Sequence, residues 1–136
     1  MIEGIGIVLV THGGLGEALV DTCASITGKL ENMVHVAVKA SDGVEDVREN
    51  IGRAIESVKG VRGAILLVDM FGGTPSNIGL SFLAEGEVEV VTGVNLPMLL
   101  KVATFDSTTS LGEAARTLRD YGRQHIKVAA EYLSGK

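Results

Sequence analysis

Short apolar runs alternate along the chain with stretches of helical periodicity. Ile5-Gly6-Ile7-Val8-Leu9-Val10 is continuously apolar and ends at Thr11-His12-Gly13-Gly14, the form of a strand buried on both faces that runs into a glycine turn. It predicts a first strand central in its sheet. Leu15, Ala18, Leu19, Thr22, Cys23 and Ile26 then recur every three or four residues, the spacing of an amphipathic helix, and Gly28 supplies its stop. Met33 to Val38 predicts a second strand. Ser41 or Asp42 can cap a helix in which Val44, Val47, Ile51, Ala54, Ile55 and Val58 keep helical spacing, with Gly60 as its end. Gly63 to Val68 predicts a third buried strand, followed by Asp69-Met70-Phe71-Gly72-Gly73-Thr74-Pro75. There Thr74 reads as an N-cap and Pro75 as the first residue of a helix reaching about Ala84.

Val88 to Thr92 predicts a fourth strand, Gly93-Val94-Asn95 a turn, and Leu96 to about Phe105 a helix with Pro97 in its first turn. Leu111, Ala114, Ala115 and Leu118 define a further helix that Gly122 ends. The tail His125-Ile126-Lys127-Val128 alternates polar and apolar positions and reads either as an edge strand or as continued helix. Strands alternating with helices predict an α/β fold: a doubly wound, mostly parallel central sheet with helices on both faces and a possible antiparallel C-terminal edge strand.

Composition narrows this picture. A chain of 136 residues without linker or repeat suits one domain spanning residues 1–136. With 46% hydrophobic residues, 21% charged and 2 prolines, disorder is excluded. Asp plus Glu number 17 against 12 Lys plus Arg, a net charge of −5, and no basic run could track a phosphate backbone, so no nucleic-acid partner is expected. The longest apolar stretches stop at Asp69 and Lys101, short of the roughly 20 residues of a membrane span. Met1-Ile2-Glu3-Gly4 carries no basic leader, and the single Cys23 cannot form an internal disulfide. The expected compartment is the cytoplasm. Cys23 sits on the inward stripe of its helix and reads as a small buried residue.

In an open parallel sheet, reactive groups collect at the carboxyl ends of the strands where strand order reverses. Two segments qualify: Thr11-His12-Gly13-Gly14 after the first strand and Asp69 to Asn77 after the third. If both strands are central, these turns are neighbours. An imidazole with a pKa of about 6.5 is a nucleophile at neutral pH. A histidine here, followed by glycines and a helix start, is suited to carry a phosphoryl group. Asp69 could fix the tautomer of His12, while Gly13, Gly14, Gly72, Gly73 and Thr74 would offer donors to phosphoryl oxygens. This arrangement requires neither metal nor cofactor.

Bland alternatives stand beside these assignments. Asp69 could simply bond the backbone of its turn, and Met70-Phe71 could face a partner, line a pocket or pack in the core. His35 and His125 read as structural or solvent-facing. A Walker loop lacks its Gly-Lys-Ser/Thr, and Gly13-Gly14-Leu15-Gly16 does not fit the dinucleotide spacing. An aspartyl-phosphate receiver would carry an acidic pair where Thr11 and His12 stand, and a histidine phosphatase would carry Arg in place of Thr11.

Three segments in order carry a resemblance: Ile7 to Gly13, Leu67 to Asn77, and Thr92-Gly93-Val94-Asn95-Leu96-Pro97-Met98-Leu99. With them the chain resembles, from about Ile5 to its last helix, the IIA component of the mannose family of the bacterial sugar phosphotransferase system. The resemblance implies a dimer that exchanges a C-terminal edge strand, placed at His125 to Val128. It implies that His12 takes a phosphoryl group through Nε2 from the phosphohistidine of HPr and passes it to a histidine of a IIB component. Asp69 matches the acidic partner of that histidine and Thr74 the small hydroxyl residue lining the site. Met70-Phe71 departs from the polar residue and Trp of the best-known members. The chain reaches Lys136 without a fused IIB domain, so the acceptor is expected on a separate chain, membrane association only through transporter components, and a regulatory role stands beside sugar uptake. A small tetrapyrrole metal chelatase, which also places His-Gly after its first strand, is the alternative. It would require a second metal-binding histidine at a later strand end, where this chain has Asp69 and Gly-Gly-Thr-Pro. A non-enzymatic binding module would leave His12 dispensable.

Overall fold

The strands β1 (Gly6–His12), β2 (Met33–Val38), β3 (Ala64–Val68) and β4 (Val88–Thr92) pair in parallel in the order β2-β1-β3-β4. The computed structural model that shows this describes residues 4–106 and 108–135. The readings made of Met1 to Glu3 and of Lys136 fall outside the described residues. β1 and β3 occupy the centre because they are apolar on both faces. Their register sets Ile7 beside Ile65 and Val10 beside Val68. At the edge, β2 alternates: Met33, Val36 and Val38 are buried while His35 and Ala37 are exposed.

Alternation along β1 and β3 divides the core into two layers. Ile7, Leu9, Ile65 and Leu67 face α1 (Leu15–Thr27), α4 (Leu96–Val102) and α5 (Leu111–Gln124), meeting Cys23, Leu99 and Leu118. Val8, Val10, Leu66 and Val68 face α2 (Val44–Val58) and α3 (Thr74–Leu80), meeting Val47, Ile51 and Ile78. Helices thus cover both faces, and each fully buried Leu or Ile contributes roughly 1.5–3 kcal/mol of apolar burial.

Several element ends differ from the sequence expectation, each for a local reason. α2 is preceded by Gly43 without a side-chain cap, because Asp42 accepts the Lys39 amide instead. α3 has Gly73 at its N-cap and Thr74 already inside, one residue earlier than expected. It also stops at Leu80, since the amides of Ser81, Phe82 and Leu83 turn to carbonyls three residues back. α4 closes at Val102 in the same way through Thr104 and Phe105. α5 passes through Gly122, which is a packing glycine: a Cβ there would stand 2.5 Å from Met98 Cε. The tail corrects both alternatives. His125 to Val128 is neither strand nor continued helix; it is irregular and leads into the short α6 (Ala129–Leu133). Within one chain it has no strand beside it, and the sheet of the described residues carries no antiparallel edge strand.

Candidate functional site

From β1 the sheet grows toward β2 on one side and β3 on the other, so the crevice at the carboxyl ends of β1 and β3 is where strand order reverses. His12 closes β1, and Asp69 follows Val68, the last residue of β3. One oxygen of Asp69, Oδ2, accepts the His12 amide at 2.9 Å and lies 2.8 Å from His12 Nδ1. The other, Oδ1, accepts the Met70 amide at 3.0 Å. A carboxylate only accepts, so Nδ1 carries the ring proton and the neutral ring presents its lone pair at Nε2. Burial alone would raise the Asp69 pKa. The His12 amide and ring bonds, the attraction of the ring when charged and the backbone amide of Asp69 itself outweigh it, and the carboxyl titrates below the ordinary aspartate range. The exposures divide the labour: the His12 side chain is 51% exposed and that of Asp69 only 11%.

The loops hold this pair from both sides. Gly13, at φ +53°, turns the chain out of β1, and its amide donates to the Val38 carbonyl at 3.0 Å. Gly13 therefore has no amide left for a ligand, which corrects its expected role as a phosphate donor. Gly73 stands against the imidazole: a Cβ there would lie 2.9 Å from His12 Cε1 and 3.4 Å from Nε2, so only glycine leaves the ring its place. The amides of Gly14, Gly72, Gly73 and Thr74 have no acceptor among the described residues, and the Thr74 side chain makes no cap bond. Such amides at helix starts suit an oxyanion. Thr11 is a participant that sequence reasoning passed over. Its buried Oγ1 accepts the Gly16 amide at 2.8 Å and ties the start of α1 to the end of β1.

The other histidines stay outside. His35 pairs in register with Leu9, further down the sheet, and His125 lies against Tyr121 with ring centroids 4.1 Å apart. Met70 and Phe71 are exposed at the rim, 54% and 73%, which favours the partner-facing reading over core packing. Among the described residues no cluster of three His, Cys, Asp or Glu could hold a metal ion. None of their helices is long and apolar enough to cross a membrane.

Comparison with known proteins shows the family and the fold. Residues 6–119 match the family of the PTS system fructose IIA component. The chain is 30% identical over 130 residues to the PTS system fructose-specific EIIA component of Bacillus subtilis, covering 95% of this chain and 89% of that protein. It is 30% identical over 125 residues to the PTS system mannose-specific EIIAB component of Escherichia coli, covering 90% of this chain but only 39% of that longer protein. In three dimensions it superposes on the mannose/sorbose specific IIA subunit of the phosphotransferase system from Enterococcus faecalis with a TM-score of 0.80. That match has 24% identity over 90% of this chain and 92% of the other.

Proposed function

The chain belongs to the family of the PTS fructose IIA component, and from that premise we propose that His12 is its phosphoryl-carrying residue. The tetrapyrrole chelatase alternative is set aside by the same membership. The observation that carries the proposal is the bond from His12 Nδ1 to Asp69 at the sheet's reversal point, which leaves Nε2 as the open nucleophile. HPr is the donor and a IIB component the acceptor. The Nε2 lone pair attacks phosphorus as the nitrogen–phosphorus bond of the donor phosphohistidine breaks, and the donor ring keeps that bond's electron pair. The His12 ring gains positive charge, which Asp69 balances. Gly14, Gly72, Gly73 and Thr74 donate to the phosphoryl oxygens, and a second in-line transfer to a histidine of IIB returns His12 to its starting tautomer. Transfer between two imidazoles is nearly balanced in energy, so alignment and hydrogen bonds suffice.

The carrier works in the cytoplasm, in sugar uptake or its regulation, and meets the membrane only through transporter components. It acts as a homodimer. Support comes from the outer edge of β4, which beyond the Val88–Ala84 bridge pairs with no further strand among the described residues, and where a groove of about 560 Å³ runs between β4 and α5 over Val91, Met98 and Ala115. A tail with Ile126, Val128 and Tyr132 exposed suits an exchanged strand laid along that groove.

The test incubates the protein with Enzyme I, HPr and phosphoenolpyruvate and weighs the intact chain. One acid-labile phosphoryl group is expected on the wild type and none on His12→Ala. An unmodified wild type in the presence of active donors would overturn the proposal.

A further inference from the structure

Thr11 and Ser76 are the two fully buried polar side chains among the described residues. The hydroxyl of Thr11 lies one residue from His12 and is engaged. Thr11 falls on the side of β1 shared by Ile7 and Leu9, the side covered by α1. A helix start leaves its first amides without partners, and Gly14 at the N-cap of α1 offers no side chain to satisfy them. Thr11 Oγ1 does so from five residues upstream, accepting the Gly16 amide at 2.8 Å. The fit is close: a Cβ on Gly16 would stand 2.9 Å from that oxygen.

This bond closes a loop that contains His12, Gly13, Gly14 and Leu15. Within it the His12 amide is tied to Asp69 and the Gly13 amide to Val38. Those two ties fix the end near β1 to β3 and β2. The Thr11 bond fixes the far end to α1 and turns the Gly16 amide inward, leaving the Gly14 amide without a protein acceptor among the described residues.

We infer that Thr11 is a positioning residue for phosphoryl transfer: its buried hydroxyl clamps the start of α1 and thereby holds the His12 imidazole in line between donor and acceptor. The inference rests on the phosphoryl-carrier reading above. Misplacing a reacting group by about 1 Å costs about a hundredfold in rate, so a clamp outside the chemistry is felt in kcat.

Two substitutions test it. Thr11→Val removes the acceptor at nearly constant shape, and Thr11→Ser keeps it. With phospho-HPr as donor, Thr11→Val is expected to lower kcat by about ten- to a hundredfold with KM within about twofold, and Thr11→Ser to stay within about threefold of wild type. Hydrogen exchange at the Gly16 amide is expected to quicken at least about tenfold in Thr11→Val alone. Unimpaired transfer by Thr11→Val, a Thr11→Ser protein as slow as Thr11→Val, or a loss confined to KM would each overturn the inference. Should Thr11→Val fail to fold, Thr11→Ala takes its place against Thr11→Ser. A wild type that takes no phosphate refutes the carrier reading. The clamp is then judged by Gly16 exchange and by the nitrogen-15 shifts of the His12 ring, which Thr11→Val must move and Thr11→Ser must not.

Discussion

The crevice between β1 and β3 is closely tied by hydrogen bonds among the described residues, whereas the outer edge of β4 has no further strand beside it among them. At the crevice, each group that orients His12 is itself held: Asp69 by two amides and a ring nitrogen, Gly13 by Val38, the start of α1 by Thr11. At the edge, β4 is bridged only at Val88, by Ala84, has no further strand beside it among the described residues, and borders a groove that Arg116, Arg119 and Arg123 line from α5. Beyond it the tail exposes Ile126 at 76%, Val128 at 62% and Leu133 at 83%. The difference separates the proposed chemistry from the proposed assembly: the first would need only the local fold, the second a further surface.

Removing the tail is the harshest way to break that comparison. On the proposed homodimer, light scattering is expected to give a dimer mass for the full chain and a monomer mass for a chain ending at Gln124, which should still accept phosphate from phospho-HPr within about threefold of the full rate. Loss of phosphorylation in the shortened chain would show that the two regions are coupled.

Asp69→Asn strikes the other region. An amide in place of the carboxylate no longer fixes the proton on Nδ1 or balances charge on the ring, and the transfer rate is expected to fall by about a hundredfold or more. The dimer should be untouched in light scattering. An Asp69→Asn protein that transfers at the wild-type rate would reduce Asp69 to a turn residue.

Acid sharpens the same contrast. The Asp69 pKa is lower in the folded chain than its ordinary 3.8. Its contribution to stability is therefore complete above the unfolded value and is lost as the pH falls from there through the lower folded value. Denaturant melts of wild type and Asp69→Asn are expected to differ by a constant gap well above pH 3.8 and to converge as the pH falls from there through the lower folded value. Parallel curves across that window would remove the linkage.

The smallest effect is expected at Ser76. Its hydroxyl is buried without a partner among the described residues. Ser76→Ala should change stability by less than about 1 kcal/mol, or raise it, because no bond is lost and a desolvated hydroxyl is removed. A loss above about 2 kcal/mol would reveal a partner for that group.

The central layers were legible because β3 is apolar throughout and β1 is apolar from Gly6 to Val10, with only Thr11 as a buried polar residue, a pattern that suits the centre of a parallel sheet. β2 and β4 kept the bounds that their apolar runs predict, and with them the meeting of His12 with Asp69 followed. Helix ends were less legible: Gly122 resembles a stop in sequence and is a contact for Met98 in space. The Thr11 bond was out of reach for a related reason. A threonine at a strand end and a glycine five residues on are each ordinary, and only the side of the strand they share brings them together. The Gly13 amide, read as a ligand donor, is taken by Val38 because β1 and β2 continue their pairing to the strand end, a matter of register that local pattern does not carry.

The direction in which α5 ends has a further consequence. Asn95, just past β4, donates to the Gly122 carbonyl near the end of α5, so α5 finishes at the same rim of the sheet that bears His12. β4 lies two strands from β1, about 10 Å across the sheet. Any domain joined after α5 by a short flexible linker is thus tethered on the reactive side, at an effective concentration in the millimolar range. Hand-over to such a domain would escape dilution, and its rate would be governed by linker length instead of encounter.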